Sequence, residues 1–292
     1  MRVVDSHLHL WDPSVLTYPW LTGELDARFA AEELAAETAA DVAEQVAVFV
    51  QADPVEEQTM DEVRWVDSLA RAAGVVGIVA GARLDRGPAL GQHLDALSEF
   101  ERVVGVRHLL QGEPDGFART GAFLAGAREL ARRGLTFDAC VRSHQIPDVT
   151  ALADAVPDLP VVLDHLGKPA IGTVSTPLLP STEWVRDLRE LAAHPQVHIK
   201  LSGLPAEADG VVDGGQVQPF LDVAAEVFGE DRLMWGSDWP VSSVRGSGAS
   251  GPRYVSGNRE AWRRTVHDWA EARGLAIDRV FWSNALAFYG IR

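Results

Sequence analysis

The chain has 292 residues, of which 47% are hydrophobic, and a formal net charge of −16. That charge argues against nucleic acid as a partner, because binding it depends on Lys and Arg side chains that neutralise phosphates. No stretch approaches the roughly 20 apolar residues of a membrane helix, and the first residues turn polar too early for a signal peptide. The single cysteine, Cys140, excludes an intramolecular disulfide. These features predict a cytoplasmic protein with a large core.

Short β-rich runs recur along the chain, and segments with helical periodicity lie between them. The predicted strands are 2–6, 45–51, 75–83, 103–109, 135–142, 160–164, 197–202 and 233–237. The clearest predicted helices are 56–73, 121–133, 182–194 and 217–228. Eight strands that alternate with helices imply parallel βαβ units, and eight such units close into a barrel. The sequence therefore predicts an α/β fold, a single-domain (β/α)₈ TIM barrel over residues 1–292. An open doubly wound sheet is the alternative, but no Gly-rich phosphate loop follows the first strand.

Alternation within the seventh strand separates an apolar face from a polar one. The apolar face carries Val197, Ile199 and Leu201, and the polar face carries His198, Lys200 and Ser202. We expect the apolar face to pack under the helices and the polar face to point into the barrel. Two Gly/Ser/Pro-rich segments, 166–181 and 240–257, directly follow the sixth and eighth strands. They are predicted to lie at the carboxyl end of the barrel as active-site lids.

The strongest local signal is the pair His7 and His9 in Asp5-Ser-His-Leu-His. Two histidines two residues apart on a strand point the same way, so both imidazoles can reach one ion. Neutral imidazole nitrogen suits zinc and related divalent metals. An isolated pair of this kind is more often one core histidine and one solvated histidine. Placement at the end of the first barrel strand favours a metal site, because both side chains are then aimed at the barrel mouth.

Two later residues are candidates for the same site. His165 lies at the end of the predicted sixth strand, and Asp238 lies at the end of the eighth. Together with His7 and His9 they would place three imidazoles and one carboxylate at one barrel mouth, which suits a mononuclear site with room for water. His144, just past the fifth strand, is a second candidate for the third imidazole. The sequence leaves the choice between His144 and His165 open.

Four motifs now point to a known family: DSHLHLW at 5–11, VVLDHLGKP at 161–169, HIKLSGL at 198–204 and MWGSDWP at 234–240. In this order and spacing they resemble the amidohydrolase superfamily, and more narrowly its branch of lactone-opening barrels. That branch includes sugar-acid lactonases and lactonases of aromatic degradation. The resemblance spans nearly the whole chain. It implies a (β/α)₈ fold and lactone hydrolysis, with His7, His9, His165 and Asp238 in the site.

The fourth strand departs from the pattern of the wider superfamily. Dinuclear members carry a bridging lysine near the end of that strand, whereas this strand ends in Arg107, His108 and Leu109. We therefore expect at most one divalent metal, with zinc as the preferred ion. Some lactonases of the branch work without bound metal, so the resemblance leaves a metal-free site open as well.

Lactone hydrolysis requires an attacking water, a base and a way to stabilise an oxyanion. Asp238 is the predicted base, and His165 is predicted to bind the metal or to hydrogen-bond the water. Arg107 and Lys200 are predicted to support the oxyanion. Only one of Arg107 and His108 can point into a regular barrel strand, and we favour Arg107. Trp239, next to the base, is predicted to form an apolar wall for a sugar ring.

The preferred substrate is a sugar-acid lactone such as L-fucono-, L-rhamnono- or galactono-lactone. A second hypothesis is an anionic muconolactone or pyrone substrate, which the candidate cations would bind. A third is a decarboxylase, because decarboxylases of the superfamily use a similar set of histidines and aspartate. The fourth hypothesis is a barrel that binds a ligand without catalysis, although binding alone does not require a set of residues that activates water. A homo-oligomer is compatible with the sequence.

Overall fold

The computed structural model describes residues 1–37, 41–208, 212–243 and 258–292. Eight parallel strands form one sheet in the order β1 to β8. They are β1 Arg2–Leu8, β2 Glu44–Val50, β3 Val75–Gly81, β4 Val103–Leu109, β5 Thr136–Cys140, β6 Val161–Leu163, β7 Val197–Leu201 and β8 Leu233–Trp235. Each strand pairs with the next in the chain, as expected for right-handed βαβ units. All eight predicted strands are confirmed.

The last strand returns to the first just beyond its own end. The N–H of Asp238 donates to the carbonyl of His7 at 2.8 Å, and the N–H of His9 donates to the carbonyl of Trp239 at 2.8 Å. A parallel bridge joins Leu8 and Trp239 at the same place. We call these contacts the β1–β8 seam. They close the sheet into a (β/α)₈ barrel, so the predicted fold class is confirmed.

Helices surround the barrel and follow most of the strands. In the described part of the chain they are α1 Ala31–Ala36, α2 Thr59–Ala73, α3 Pro88–Leu97, α4 Gly121–Arg133, α5 Ile146–Ala155, α6 Thr182–Ala192, α7 Leu204–Glu207, α8 Gly214–Phe228, α9 Arg259–Ala272 and α10 Asn284–Tyr289. Gly74 and Gly134 end α2 and α4 at φ values of 67° and 70°. Glycine adopts this left-handed conformation without the Cβ clash that other residues meet. No helix in the described ranges is long and apolar enough to cross a membrane.

Two apolar layers hold the barrel together. The outer layer lies between strands and helices and includes Val197, Ile199 and Leu201, as the alternation predicted. The inner layer fills the barrel with side chains such as Val48 and Val162. Further residues of the inner layer come from α10, Ala285, Phe288 and Tyr289. The last helix therefore contributes to the inside of the barrel and not only to its outer ring.

The strands β6 and β8 end earlier than predicted, and left-handed backbone follows within three residues of each end. His165, Leu166 and Lys168 have φ values of 54°, 54° and 53°, and Asp238 has a φ of 55°. Residues in this left-handed region cannot continue a strand. Of the predicted segment 240–257, only residues 240–243 belong to the described part, and 244–257 lie outside it.

Glu62 on α2 is a fully buried carboxyl group that accepts hydrogen bonds from the Ala52 N–H at 2.9 Å and the Tyr18 hydroxyl at 3.4 Å. Burial raises the pKa of Glu62 to about 8. The unfolded chain has a glutamate pKa of about 4.3. The folded state therefore binds the proton more tightly, and its stability falls as pH rises from about 4.3 to 8.

Glu62→Gln should remove this contribution to the pH dependence, because the amide keeps an acceptor oxygen and does not titrate. Across the window, the wild-type free energy of unfolding should lose up to about 1.4 kcal/mol per pH unit from Glu62. Urea denaturation at pH 5, 6.5 and 8 measures the slope for both proteins. Glu101→Gln, at an exposed position, is the matched control. An unchanged slope in Glu62→Gln would contradict the assignment.

Candidate active site

The β1–β8 seam brings His7, His9 and Asp238 together at the carboxyl end of the barrel. The Nε2 atoms of His7 and His9 lie 3.2 Å apart. Oδ1 of Asp238 lies 3.4 Å from Nε2 of His9 and 3.9 Å from Nε2 of His7. The alternation in the first strand predicted the convergence of the two imidazoles, and the seam adds the carboxylate.

His165 completes the cluster from the other side. Its Nε2 lies 3.8 Å from Oδ1 of Asp238, and its ring centroid lies 4.3 Å from that of His7. His144 is elsewhere: it is exposed, and its Nε2 lies 3.2 Å from Asp115 at the surface. The interpretation of His144 as a third ligand or catalytic residue is therefore corrected. The short turn after β5 points its side chain outward.

Each of the three imidazoles is held through Nδ1, so that Nε2 faces the cluster. Nδ1 of His9 lies 2.8 Å from the Val50 carbonyl, which can only accept, so this nitrogen carries the proton. Nδ1 of His165 lies 2.9 Å from the Ser202 hydroxyl, and Nδ1 of His7 lies 3.2 Å from Oδ1 of Asp164. Such outer contacts fix the tautomer and the ring orientation of histidine ligands.

The pKa shifts of His7, His165 and Asp238 suit metal binding. Burial, together with the charge of Lys200, lowers the pKa of His7 well below its usual value. Burial also lowers the pKa of His165. Burial works to raise the pKa of Asp238, but His165, His9 and the Ser242 hydroxyl outweigh it and hold that pKa below its usual range. Neutral imidazoles and an ionised carboxylate are the forms that bind divalent ions. The His7, His9 and Asp238 donor atoms all lie within 4.8 Å of one another.

Lys200 lies beneath this cluster and not in the cavity above it. Its side chain has no exposed surface, and its Nζ lies 3.1 Å from Nδ1 of His7 and 3.1 Å from Oδ1 of Asp164. A short contact joins it to Asp138, which also accepts from the Tyr289 hydroxyl at 2.9 Å. The predicted contact of Lys200 with substrate or oxyanion is therefore corrected. Alternation along β7 correctly predicted that Lys200 points into the barrel, but the side chain lies one layer below the imidazoles.

Arg107 and His108 point in opposite directions. Arg107 faces inward, where its Nη2 donates to the Gln51 carbonyl and its Nη1 lies 3.6 Å from Oδ2 of Asp164. His108 faces outward, with its ring centroid 5.6 Å from that of Phe123 and its Nε2 3.3 Å from Glu113. The choice of Arg107 as the inward residue agrees with the structure. His108, the alternative candidate for an inward substrate contact, is corrected to a packing residue, because regular alternation turns it away from the cluster.

A cavity of about 280 Å³ opens above the imidazoles. The cavity is lined by His9, His165 and Asp238 of the cluster and by Arg107, Trp20, Lys168, Gln111 and Glu207. Trp239 is absent from this lining because it is only 2% exposed and packs against Phe29, with the two ring centroids 5.6 Å apart. The predicted aromatic wall is thus corrected to Trp20, whose Nε1 donates to the Ala52 carbonyl at 2.7 Å. Trp20 lies in an irregular segment, and no periodic pattern in the sequence marks it.

A second cavity of about 560 Å³ adjoins the first over the ends of β2 to β4. Arg107 and Gln111 are among the residues that line both. Much of the charge in the larger cavity is paired: Arg83 lies 2.9 Å from Glu113, and Arg86 lies 2.9 Å from Glu56. The larger cavity holds neither the imidazoles nor Asp238, so we place the chemistry in the smaller one.

Two glycines allow the histidines to sit where they do. A Cβ atom on Gly203 would lie 2.3 Å from Nδ1 of His165, and one on Gly236 would lie 2.8 Å from Cβ of His7. Contacts under 3.0 Å force one partner to move. Both glycines belong to the motifs HIKLSGL and MWGSDWP, so the close approach gives a physical reason for those residues.

The comparisons with known proteins agree with this geometry. A family model described as Amidohydrolase matches residues 4–291. The chain belongs to the amidohydrolase family. This amidohydrolase is 32% identical over 295 residues to an L-fucono-1,5-lactonase of Burkholderia ambifaria, with 99% of this chain and 95% of that protein covered. It is 25% identical over 212 residues to an L-rhamnono-gamma-lactonase of Scheffersomyces stipitis, with 66% and 61% covered.

A crystal structure of a relative gives the same fold. An amidohydrolase of Burkholderia multivorans with bound zinc superposes with a TM-score of 0.82 at 31% identity, with both chains covered completely. The resemblance that the sequence motifs indicated is confirmed.

Gly203→Ala should weaken the binding of a divalent metal, assayed with added zinc, by about 10- to 100-fold, because the added methyl group displaces the imidazole of His165. Competition between metal-free protein and a chromogenic chelator measures the affinity. Gly134→Ala is the matched control, since Gly134 has a similar φ of 70° and no atom within 4 Å of the added carbon. The control should lose stability but keep its zinc affinity. Equal affinities in both variants would contradict a ligand role for His165.

Proposed function

We propose that this protein is a hydrolase that opens the ring of a sugar-acid lactone by attack of water. The observation that carries the proposal is the cluster of three imidazoles and one carboxylate, of which His9, His165 and Asp238 line a cavity of about 280 Å³. A lactone is an activated ester, and this set provides the groups that ester hydrolysis needs. The lactonases among the relatives support the choice of substrate class.

One divalent metal, most simply zinc, fits the donor set. His7, His9 and Asp238, whose donor atoms lie within 4.8 Å of one another, would hold it, and His165, with Nε2 3.8 Å from Oδ1 of Asp238, would be the fourth ligand. When bound, such an ion lowers the pKa of its water to about 7 and polarises a carbonyl group. No lysine stands at the end of β4, where Arg107 occupies the inward position, and this supports one ion and not two. The zinc-bound relative supports the identity of the metal.

Asp238 is the proposed base. Its Oδ2 accepts the Ser242 hydroxyl at 2.7 Å, which leaves Oδ1 facing the imidazoles and the cavity. In the reaction, this carboxylate takes a proton from the attacking water and returns it to the ring oxygen after the carbon–oxygen bond breaks. The low pKa of Asp238 keeps the carboxylate ionised at neutral pH. Arg107, on the cavity wall, is the proposed contact for a substrate oxygen.

The charge of the cavity wall favours a neutral, hydroxylated ring over an anionic one. Asp53 and Glu207 face the cavity together with Lys168 and Arg107. Mixed acceptors and donors suit the hydroxyl groups of a sugar lactone, whereas a dicarboxylate would meet two carboxyl groups. We therefore rank a muconolactone or pyrone substrate second.

The single cysteine, Cys140, supports a reducing compartment, so we propose that the enzyme works in the cytoplasm.

A lactone panel tests the function. The wild-type chain should release acid from L-fucono-1,5-lactone, L-rhamnono-γ-lactone or galactonolactone in a pH-indicator assay, and prior treatment with a chelator should abolish the activity. Asp238→Asn should lower kcat by about 100-fold or more. His144→Ala, at the exposed site, should keep full activity. Failure to release acid from any lactone would contradict the proposal, and release of carbon dioxide from an aromatic acid would replace it with a decarboxylase.

A further inference from the structure

Lysine is almost absent from this chain. Of the 26 basic residues only two are lysines, Lys168 and Lys200, and the rest are arginines. Both lysines lie at the site: Lys200 is buried beneath His7, and Lys168 lines the cavity above it. Lysine carries a compact point charge, whereas arginine carries a wide planar fork. In a chain that otherwise uses arginine, a lysine in the cavity calls for a specific chemical reason.

The backbone that carries Lys168 is strained. His165, Leu166, Gly167 and Lys168 have φ values of 54°, 54°, 70° and 53°, which makes a turn of left-handed backbone. Residues other than glycine enter this region singly as a rule, because Cβ comes too close to the following carbonyl oxygen. Such strain persists where the surrounding structure imposes it and clusters at functional sites. Here the turn directs the side chains of both His165 and Lys168 to the same cavity.

The ammonium group of Lys168 retains unused hydrogen-bond donors. One N–H donates to Oε1 of Gln111 at 2.6 Å, and the nearest carboxylate oxygen, on Glu207, lies 3.9 Å away, beyond hydrogen-bonding distance. Two of its three N–H groups thus have no protein partner among the described residues. Arg107, the other cation in the lining, donates from Nη2 to the Gln51 carbonyl and has Nη1 3.6 Å from Asp164, and only 5% of its side chain is exposed, against 16% for Lys168. Lys168 is therefore the more accessible of the two cavity cations.

We propose that Lys168 is a catalytic residue. Its ammonium group contacts the substrate ester and stabilises the negative charge that develops on the carbonyl oxygen in the transition state. The inference rests on the proposed lactone hydrolysis. The water oxygen bonds to the carbonyl carbon, the carbon–oxygen double-bond pair moves onto oxygen, and the ring carbon–oxygen bond then breaks. Asp238 carries the proton from water to the ring oxygen, and Lys168 keeps its own protons throughout. A fixed cation acts more strongly on a transition state that carries negative charge on oxygen than on the neutral ground state.

Lys168→Met and Lys168→Ala should lower kcat for L-fucono-1,5-lactone by about 100-fold and change KM by less than about threefold. Methylammonium added to Lys168→Ala should restore part of kcat in a saturable manner, because it can occupy the space of the lost ammonium. The same amine should not rescue Asp238→Asn and should not accelerate the wild-type enzyme. A merely structural role for Lys168 predicts no rescue. An unchanged kcat, or a loss confined to KM, overturns the proposal.

A second measurement does not depend on turnover. Lys200 has no exposed surface, so reductive methylation with ¹³C-formaldehyde should label Lys168 as the one reactive lysine. Labelled Lys168→Met identifies its signal, because the amino group of Met1 remains in that variant. The Lys168 methyl signal should move when L-fuconate, the hydroxy-acid product, is added. A signal that stays in place at saturating product overturns the contact.

The two proposals fail in different ways. A wild-type chain that opens no lactone contradicts the proposed function. A wild-type chain that opens lactones, beside a Lys168→Met variant of equal kcat, contradicts only the role of Lys168. If Lys168→Met does not fold, Lys168→Arg tests the same point. Arginine preserves the positive charge, but its guanidinium does not match a compact ammonium, and its kcat should stay below one tenth of the wild-type value.

Discussion

The seam between β1 and β8 is the contact on which the rest of this structure depends. Its two backbone hydrogen bonds, from Asp238 to His7 and from His9 to Trp239, close the barrel. The same bonds fix the spacing between two imidazoles and the carboxylate that faces them. Asp5 reinforces the seam, because its carboxylate accepts from the Ser237 N–H at 2.8 Å and from Arg259 at 2.9 Å. The contacts that close the barrel therefore also set the geometry of the site.

The polar layer beneath the imidazoles explains how buried charge is tolerated there. Lys200 lies between Asp138 and Asp164, and all three have no exposed surface. An isolated charge at such depth would cost several kcal/mol, so each charge depends on its partners. Burial raises the pKa of Asp138 to about 6, whereas Lys200, His165 and Arg107 overcome the effect of burial at Asp164 and lower its pKa. Asp164 therefore stays ionised and holds Nδ1 of His7.

The sequence predicted the parts of the site that follow from regular backbone. Alternation placed His7 and His9 together and turned Arg107 inward, because Arg107 lies within β4, His7 lies within β1 and His9 directly follows β1. It could not choose between His144 and His165, since His165 is delivered by a left-handed turn that no periodicity encodes. It also gave the face of Lys200 without its depth, because alternation specifies direction and not height along the barrel axis. Trp20 lies in an irregular segment and Gln111 in a short 3₁₀ turn, where only the folded chain shows what they contact.

The network under the site joins residues that are synthesised at very different times. His7 is translated among the first residues, whereas Tyr289, whose hydroxyl supports Asp138 under Lys200, comes 282 residues later. At about 5 to 20 residues per second, that interval is on the order of 15 to 60 s on the ribosome. Until Asp238 has been made, the first strand has no eighth strand to pair with, and its histidines lack their carboxylate. The polar layer under the imidazoles is completed later still, when the Tyr289 hydroxyl reaches Asp138.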